Sequence, residues 1–340
     1  MNGITIEDYT PEMSDACMAI ENRSPQGESY RLRFDRKKFH LRSECFENRR
    51  ILIAKKDQKI IATLSFAIKD IVFHGKKVKA SIGFDAASDP LYRRHSAMKQ
   101  LLDEFYKITT DEGVEIHYGY TVGDNLESQN MLKSYCDFDL IGSYGYLVWP
   151  SYRKLNVKYA PVCCGPEEVH VAQTNANKPF DSYTDINRNG TLKGYVTSFK
   201  TSDAGCSVWD NSEMLQEVVV SIPGYYKLAK MVLNTFPLNL FKWPHIPAPQ
   251  EPVKSWYIYD FYANKKGSAI DLMRHVNNQA IENDIDYCYI IHNQTNAWMA
   301  ELQAGTPKLF SPVIPYNIWA KSIYDEVAPV KNFYIDVRDL

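Results

Sequence analysis

The stretch Asp89-Pro90-Leu91-Tyr92-Arg93-Arg94-His95-Ser96 decides how the chain is read. Before it, Arg50–Ala54, Lys59–Lys69 and Lys76–Phe84 are rich in β-branched and aromatic residues. The turns Lys56-Asp57-Gln58 and His74-Gly75 separate them, which predicts an antiparallel meander. After it, Ala97, Leu101, Leu102, Phe105 and Ile108 recur at helical spacing up to Gly113. The stretch is therefore a basic loop between a strand and a helix. A helix start exposes unpaired N–H groups and the positive end of the dipole. With two arginines beside it, such a junction suits phosphate.

Working outward, Val114–Tyr120 reads as a strand and Gly123-Asp124-Asn125 as a turn and N-cap. Leu126–Ser134 reads as a short helix and Phe138–Trp149 as a strand pair turning at Gly142. Upstream, Ile4–Ile6 reads as a strand, Pro11–Ile20 as a helix and Phe34–Cys45 as helical. Between Pro150 and Glu168 all periodicity stops, so the expected division is a first domain over 1–150, a linker over 151–168 and a second domain over 169–340. In the second part, Val169–Ala172 reads as a strand, Thr191–Val208 as two strands around Ser202-Asp203, and Ser212–Val220 and Tyr225–Leu233 as helices. Then come the strand Ser255–Tyr262, a helix carrying Ile270, Met273, Val276 and Ala280, the strand Tyr287–His292 and the short helix Asn296–Gln303. Thr306–Ile318 and Asn332–Val337 read as closing strands. The order of elements over Lys76–Trp149 thus recurs over Lys254–Ile318, as in a tandem duplication.

Composition narrows the function classes. The 340 residues are 45% hydrophobic and 24% charged, a balance that allows each half its own core without disulfides. The formal net charge of −2 provides no field for nucleic acid or an anionic membrane. The seven cysteines form no CxxC pair, so no metal site is expected. No stretch of about 20 apolar residues predicts a membrane span, and Met1–Asp8 has no basic segment followed by an apolar run, so a cytoplasmic location is expected.

Pro90, Tyr92, Arg93, Leu101 and Leu102 resemble the phosphate loop of the GNAT (Gcn5-related) N-acetyltransferases, in which Ser96 and Met98 stand where that family carries glycines. Asn125, Ser128 and Leu132 resemble the family's next signature, Asn-x-x-Ser with a leucine four residues on. The resemblance spans roughly Ile4–Trp149. It implies an α/β (α+β) fold of two GNAT-like domains, each a mixed, largely antiparallel sheet flanked by helices, the second of them degenerate. It implies acetyl-CoA or another acyl-CoA as co-substrate, and a small-molecule or peptide amine that attacks the thioester. On this sequence the pantetheine arm would meet the backbone of Ala86, Ala87 and Ser88. The phosphates would meet Arg93 and the backbone of Arg94, His95, Ser96, Ala97 and Met98, and Asn125 and Ser128 would lie near the pantetheine end. Asp85, at the end of the central strand, stands where a general base could sit. Leu132 stands where many members carry a tyrosine acid, so Tyr135, one turn away, is its substitute. His117, on the following strand, is read as structural. In the second half Asn264-Lys265-Lys266-Gly267-Ser268 occupies the place of the phosphate loop. The rival readings are a binding module of this fold without catalysis, and a transferase drawing on an acyl carrier protein or an aminoacyl-tRNA.

Overall fold

The computed structural model describes residues 3–25, 27, 31–92, 96–177, 180–182, 191–233, 235, 242–292, 298–309, 311–324 and 327–339. Its centre is one twelve-stranded, largely antiparallel sheet in the order β1-β3-β4-β5-β6-β14-β7-β13-β12-β10-β9-β8. These strands are β1 (Ile4–Asp8), β3 (Asn48–Lys56), β4 (Lys59–Phe73), β5 (Lys76–Ser88), β6 (Ile116–Val122) and β7 (Asp139–Pro150). The second half adds β8 (Val162–Cys164), β9 (Tyr195–Lys200), β10 (Ala204–Asp210), β12 (Ser255–Ala263), β13 (Tyr287–His292) and β14 (Val313–Ser322). A separate ribbon pairs β2 (Arg31–Asp35) with β11 (Gln216–Ser221).

The meander appears as expected because β3, β4 and β5 are joined by tight turns, with Asp57, Gln58 and His74 in left-handed backbone. The helix α2 (Ala97–Asp111) follows the basic loop and buries Leu101, Leu102, Phe105 and Ile108 against β4, at the spacing read from the sequence. The helix α3 (Leu126–Ser134) has the expected limits. The other helices are α1 (Ser14–Asn22), α4 (Pro166–Asn177), α5 (Gly224–Leu233), α6 (Lys266–Glu282) and α7 (Met299–Ala304).

Five local expectations are corrected. Residues 34–45 hold the end of β2 and two short 3-10 turns, since Phe39, Ser43 and Cys45 bury a spaced set without a full helical repeat. Phe138–Trp149 is a single strand, in which Gly142 faces Val330 instead of turning. Val169–Ala172 lies inside α4, where Pro166 takes the first helical turn, a position that needs no N–H. Ser212–Val220 is mostly the strand β11, because its Val-rich end pairs with β2. Asn332–Val337 forms only a bridge at Phe333 and then a 3-10 turn over Val337–Asp339. Of the short helix expected over Asn296–Gln303, residues 296–297 lie outside the described residues and the remainder is α7.

The two halves share this sheet. β7 pairs with β13, and β14 lies between β6 and β7. The tail 333–339 crosses onto the first half, where Phe333 packs edge-on against Tyr118 and Tyr120. The sheet therefore runs unbroken past residue 150, where the sequence pattern suggests a boundary.

Candidate functional site

β5 and β6 run parallel, but their ladder holds only three pairs, Ala80 with Ile116, Ser81 with His117 and Ile82 with Tyr118. Beyond Ile82 the strands part. β5 stays paired with β4, and β6 stays paired with β14, with Tyr120 opposite Ile318 and Val122 opposite Tyr316. A wedge opens inside the sheet. Gly83 is exposed there although its strand has neighbours on both sides. Gly119, itself buried, has nothing within 4 Å of the place a Cβ would take. Both glycines face the side that carries α2, as do Ser81 and His117.

Opposite the wedge, β5 carries a bulge. Phe84 pairs with Ser65 and Ala87 with Thr63, so Asp85 and Ala86 together oppose Leu64 alone. Asp85 has φ +49°, a left-handed backbone that Asp tolerates better than most residues. Its carboxylate is 2% exposed and receives Arg36 at 2.7 and 2.9 Å and Arg42 at 2.8 Å. Burial pushes the Asp85 pKa up, but the two guanidiniums outweigh burial and hold it below the usual carboxylate value. Arg36 also reaches Glu21 at 2.8 Å. Burial, reinforced by Asp85 and only partly offset by Arg36, raises the Glu21 carboxyl to about 8.

The other predicted residues are distributed as follows. Ala86, Ala87 and Ser88 end β5 along the wedge, and Ala86 is exposed. Arg93, Arg94 and His95 lie outside the described residues. Ser96 precedes α2 at φ +57°, so the position where the resembling family has its first glycine still demands a left-handed backbone. Ala97 is buried, and Met98 packs, partly buried, against the cluster that holds Leu101, Leu102 and Phe105. Asn125 caps α3, its Oδ1 accepting the Ser128 N–H at 3.1 Å. Tyr135 follows α3 and is 62% exposed. His117 is buried, its Nδ1 2.7 Å from the Ser81 hydroxyl and its ring edge-on to Phe105 and Tyr106. Burial, aided by Lys321, lowers its pKa to about 4, in keeping with a structural role.

On the sheet face away from α2 lies a polar cluster that the sequence pattern does not reveal. Asp339 receives Lys69 at 2.7 Å, Tyr118 at 2.8 Å and Tyr120 at 3.4 Å. Burial, opposed by Lys69 and reinforced by Asp336, raises the pKa of Asp339. Arg338 is held by Asp336 at 2.6 Å and donates to the Cys45 carbonyl at 3.2 Å. Arg42 ties this cluster to Asp85, since it also donates to the Asp339 carbonyl at 3.3 Å. The one sequence signal was the run Asp336-Val337-Arg338-Asp339 in an apolar tail, whose partners are some 270 residues away.

The sheet thus splits between parallel strands, with a bulge beside the split and a helix starting after it. Residues 6–123 match the acetyltransferase (GNAT) domain, and the chain carries such a domain. No curated protein sequence matches the chain. Among solved structures, N-myristoyltransferase from Saccharomyces cerevisiae with bound myristoyl-CoA and inhibitors is similar at TM-score 0.66 and 10% identity, over 99% of this chain and 87% of that one. The GCN5-related N-acetyltransferase from Kribbella flavida is similar at TM-score 0.55 and 10% identity, over 94% of this chain and 71% of that one. That from Anabaena variabilis is similar at TM-score 0.54 and 10% identity, over 94% and 72%. At such identity the likeness is one of fold, and it extends over both halves. Among the described residues no helix is long and apolar enough to cross a membrane.

Proposed function

We propose that the protein is an acyl-CoA-dependent N-acyltransferase that holds the thioester in the β5/β6 wedge and passes the acyl group to a primary amine. The observation that carries this reading is the wedge itself, where Gly83 is exposed within the sheet and Gly119 borders open space. Strand edges released from each other keep N–H and C=O groups for a ligand with amide groups, such as pantetheine. The α2 start, with its left-handed Ser96, supports a phosphate at that end, since a helix start favours anions. The myristoyl-CoA bound by the yeast enzyme of similar fold supports testing acyl chains longer than acetyl.

Asp85 does not fit the role of base, because two arginines favour its charged form and lower its pKa. Asp339 fits better. Burial raises its pKa, whereas that of Asp85 is lowered, so Asp339 is the stronger proton acceptor of the two. It reaches the wedge through Tyr120, which stands on the freed part of β6. The amine nitrogen would attack the thioester carbonyl, its proton passing to the Tyr120–Asp339 pair. The thiolate would leave as the C–S bond breaks and take a proton from the same hydroxyl. Tyr120 thereby takes the acid role expected of Tyr135.

The test is thermal unfolding with acetyl-CoA, myristoyl-CoA and free coenzyme A, alongside thiol release with a panel of amines. A ligand confined to the folded state raises the midpoint. Gly119→Val adds a side chain in open space, so it should keep the fold and abolish the shift. No shift with any of the three would reject the acyl-CoA reading, and a shift without turnover on any amine would leave a binding module.

A further inference from the structure

Just past the end of β7 the chain is pinned along α6. The Asn277 side chain donates to the Arg153 carbonyl at 2.9 Å. Asn278 accepts the Leu155 N–H and donates to the Leu155 carbonyl, both at 2.8 Å. An open groove of about 750 Å³ lies between this segment, α6, Lys242-Trp243 and the connection from α7 to β14. A groove of that volume matches small-molecule sites, which span roughly 300–1,000 Å³. Tyr152, Leu155, Ile281 and Leu309 contribute apolar surface to it. Arg153, Lys154, Lys242, Arg274 and Lys308 also line it, and among the described residues no carboxylate does.

The cations are not all neutralised. Glu282 pairs with Lys154 at 2.7 Å, and Asp271 stands 3.6 Å from Arg274. Arg153, Lys242 and Lys308 are exposed and have no ion-pair partner among the described residues. The chain as a whole carries −2, so this positive charge is a local concentration. A cleft lined by one sign of charge raises the local concentration of the opposite ion. A phosphate monoester suits it better than a carboxylate, because it brings about −1.5 to −2 charge on one group and three strong acceptor oxygens. Guanidiniums match such oxygens in pairs. We propose that this groove is a second ligand site, taking a small phosphate monoester with an apolar body. The assignment rests on the groove alone and needs no acyl-CoA in the β5/β6 wedge.

The test uses calorimetric titration of the full chain, without coenzyme, against 1-naphthyl phosphate, 1-naphthol and inorganic phosphate at neutral pH. The ester should bind at least tenfold tighter than either of the others, since it alone joins the charge to the apolar body. Arg153→Gln combined with Lys308→Gln removes two exposed charges and should weaken the ester at least tenfold. Lys242→Gln, on a separate segment, should weaken it about threefold. Unliganded melting midpoints serve as the control for folding, and the two variants place the site independently of each other. Naphthol or inorganic phosphate binding as tightly as the ester, no ester binding at millimolar concentration, or full ester affinity in either folded variant would overturn the proposal.

Discussion

Asp85 and Asp260 occupy the same place in two different strands. Each opens a two-residue bulge just past the end of a parallel ladder, and each has left-handed backbone, at φ +49° and +52°. Their partners differ. Asp85 is held by two guanidiniums, whereas Asp260 accepts from a tyrosine hydroxyl beside an aromatic cavity. One backbone device thus serves a charged junction in the first half and a cavity wall in the second.

The first prediction concerns Asp85. Removing one partner of a buried ion pair costs about 3–5 kcal/mol, because the remaining charge stays buried. Arg36 is 1% exposed, so Asp85→Asn, which retains the backbone preference, should lower the free energy of unfolding by that order in urea titration. A large loss of turnover in a variant of unchanged stability would instead restore Asp85 as a base.

Glu21 makes stability fall as pH rises. Its carboxyl has a higher pKa folded than unfolded, so the stability it confers is complete below its unfolded value of 4.5 and is lost as pH rises through about 8. Melting midpoints followed between about pH 5 and pH 9 should decline, and Glu21→Gln should flatten the decline.

His117 acts in the opposite sense. Its folded pKa of about 4 lies below the unfolded 6.5, so the folded state favours the neutral ring. The stability tied to that ring is present above 6.5 and is lost as pH falls toward 4, amounting to about 3 kcal/mol at full protonation. Replacement by Gln, a neutral residue, should remove this acid-side loss, as read from urea midpoints at a series of pH values.

Asn125 should behave as a cap. Asn125→Ala removes the acceptor for the Ser128 N–H and should cost about 1 kcal/mol. The apparent affinity for acyl-CoA, from concentration-dependent melting, should stay unchanged. A weakened affinity at constant stability would return Asn125 to the pantetheine site.

Local patterns carried the first half well. The meander, α2 and α3 follow from turn residues and helical spacing, which neighbours within about ten residues determine. Two kinds of information were missing. Ser212–Val220 and Val169–Ala172 are short segments whose state is decided by what they pack on, β2 for the one and β9, β10 and β12 for the other. The placement of β14 between β6 and β7, and of Asp339 beside Lys69, depends on contacts across nearly the whole chain. Asp85 was recognisable as special, since a carboxylate at the end of a central strand must find partners. Arg36 and Arg42 lie in the segment read as a helix, so their approach to it was not visible.

The Tyr120–Asp339 pair gives the last prediction. Asp339→Asn alone is ambiguous, because it strands Lys69, which is 7% exposed and has Asp336 as its next carboxylate at 3.6 Å. Tyr120→Phe is cleaner. It keeps the ring that packs on Tyr118, Tyr144 and Phe333 and removes only the hydroxyl. Positioned proton transfer contributes about 10²–10⁴-fold, so kcat should fall within that range while the stabilisation by acyl-CoA persists. The loss should shrink for an amine of low pKa, which gives up its proton without help. A Tyr120→Phe protein with unaltered kcat for every amine would remove Tyr120 from the proton path and, with it, the route by which Asp339 reaches the wedge.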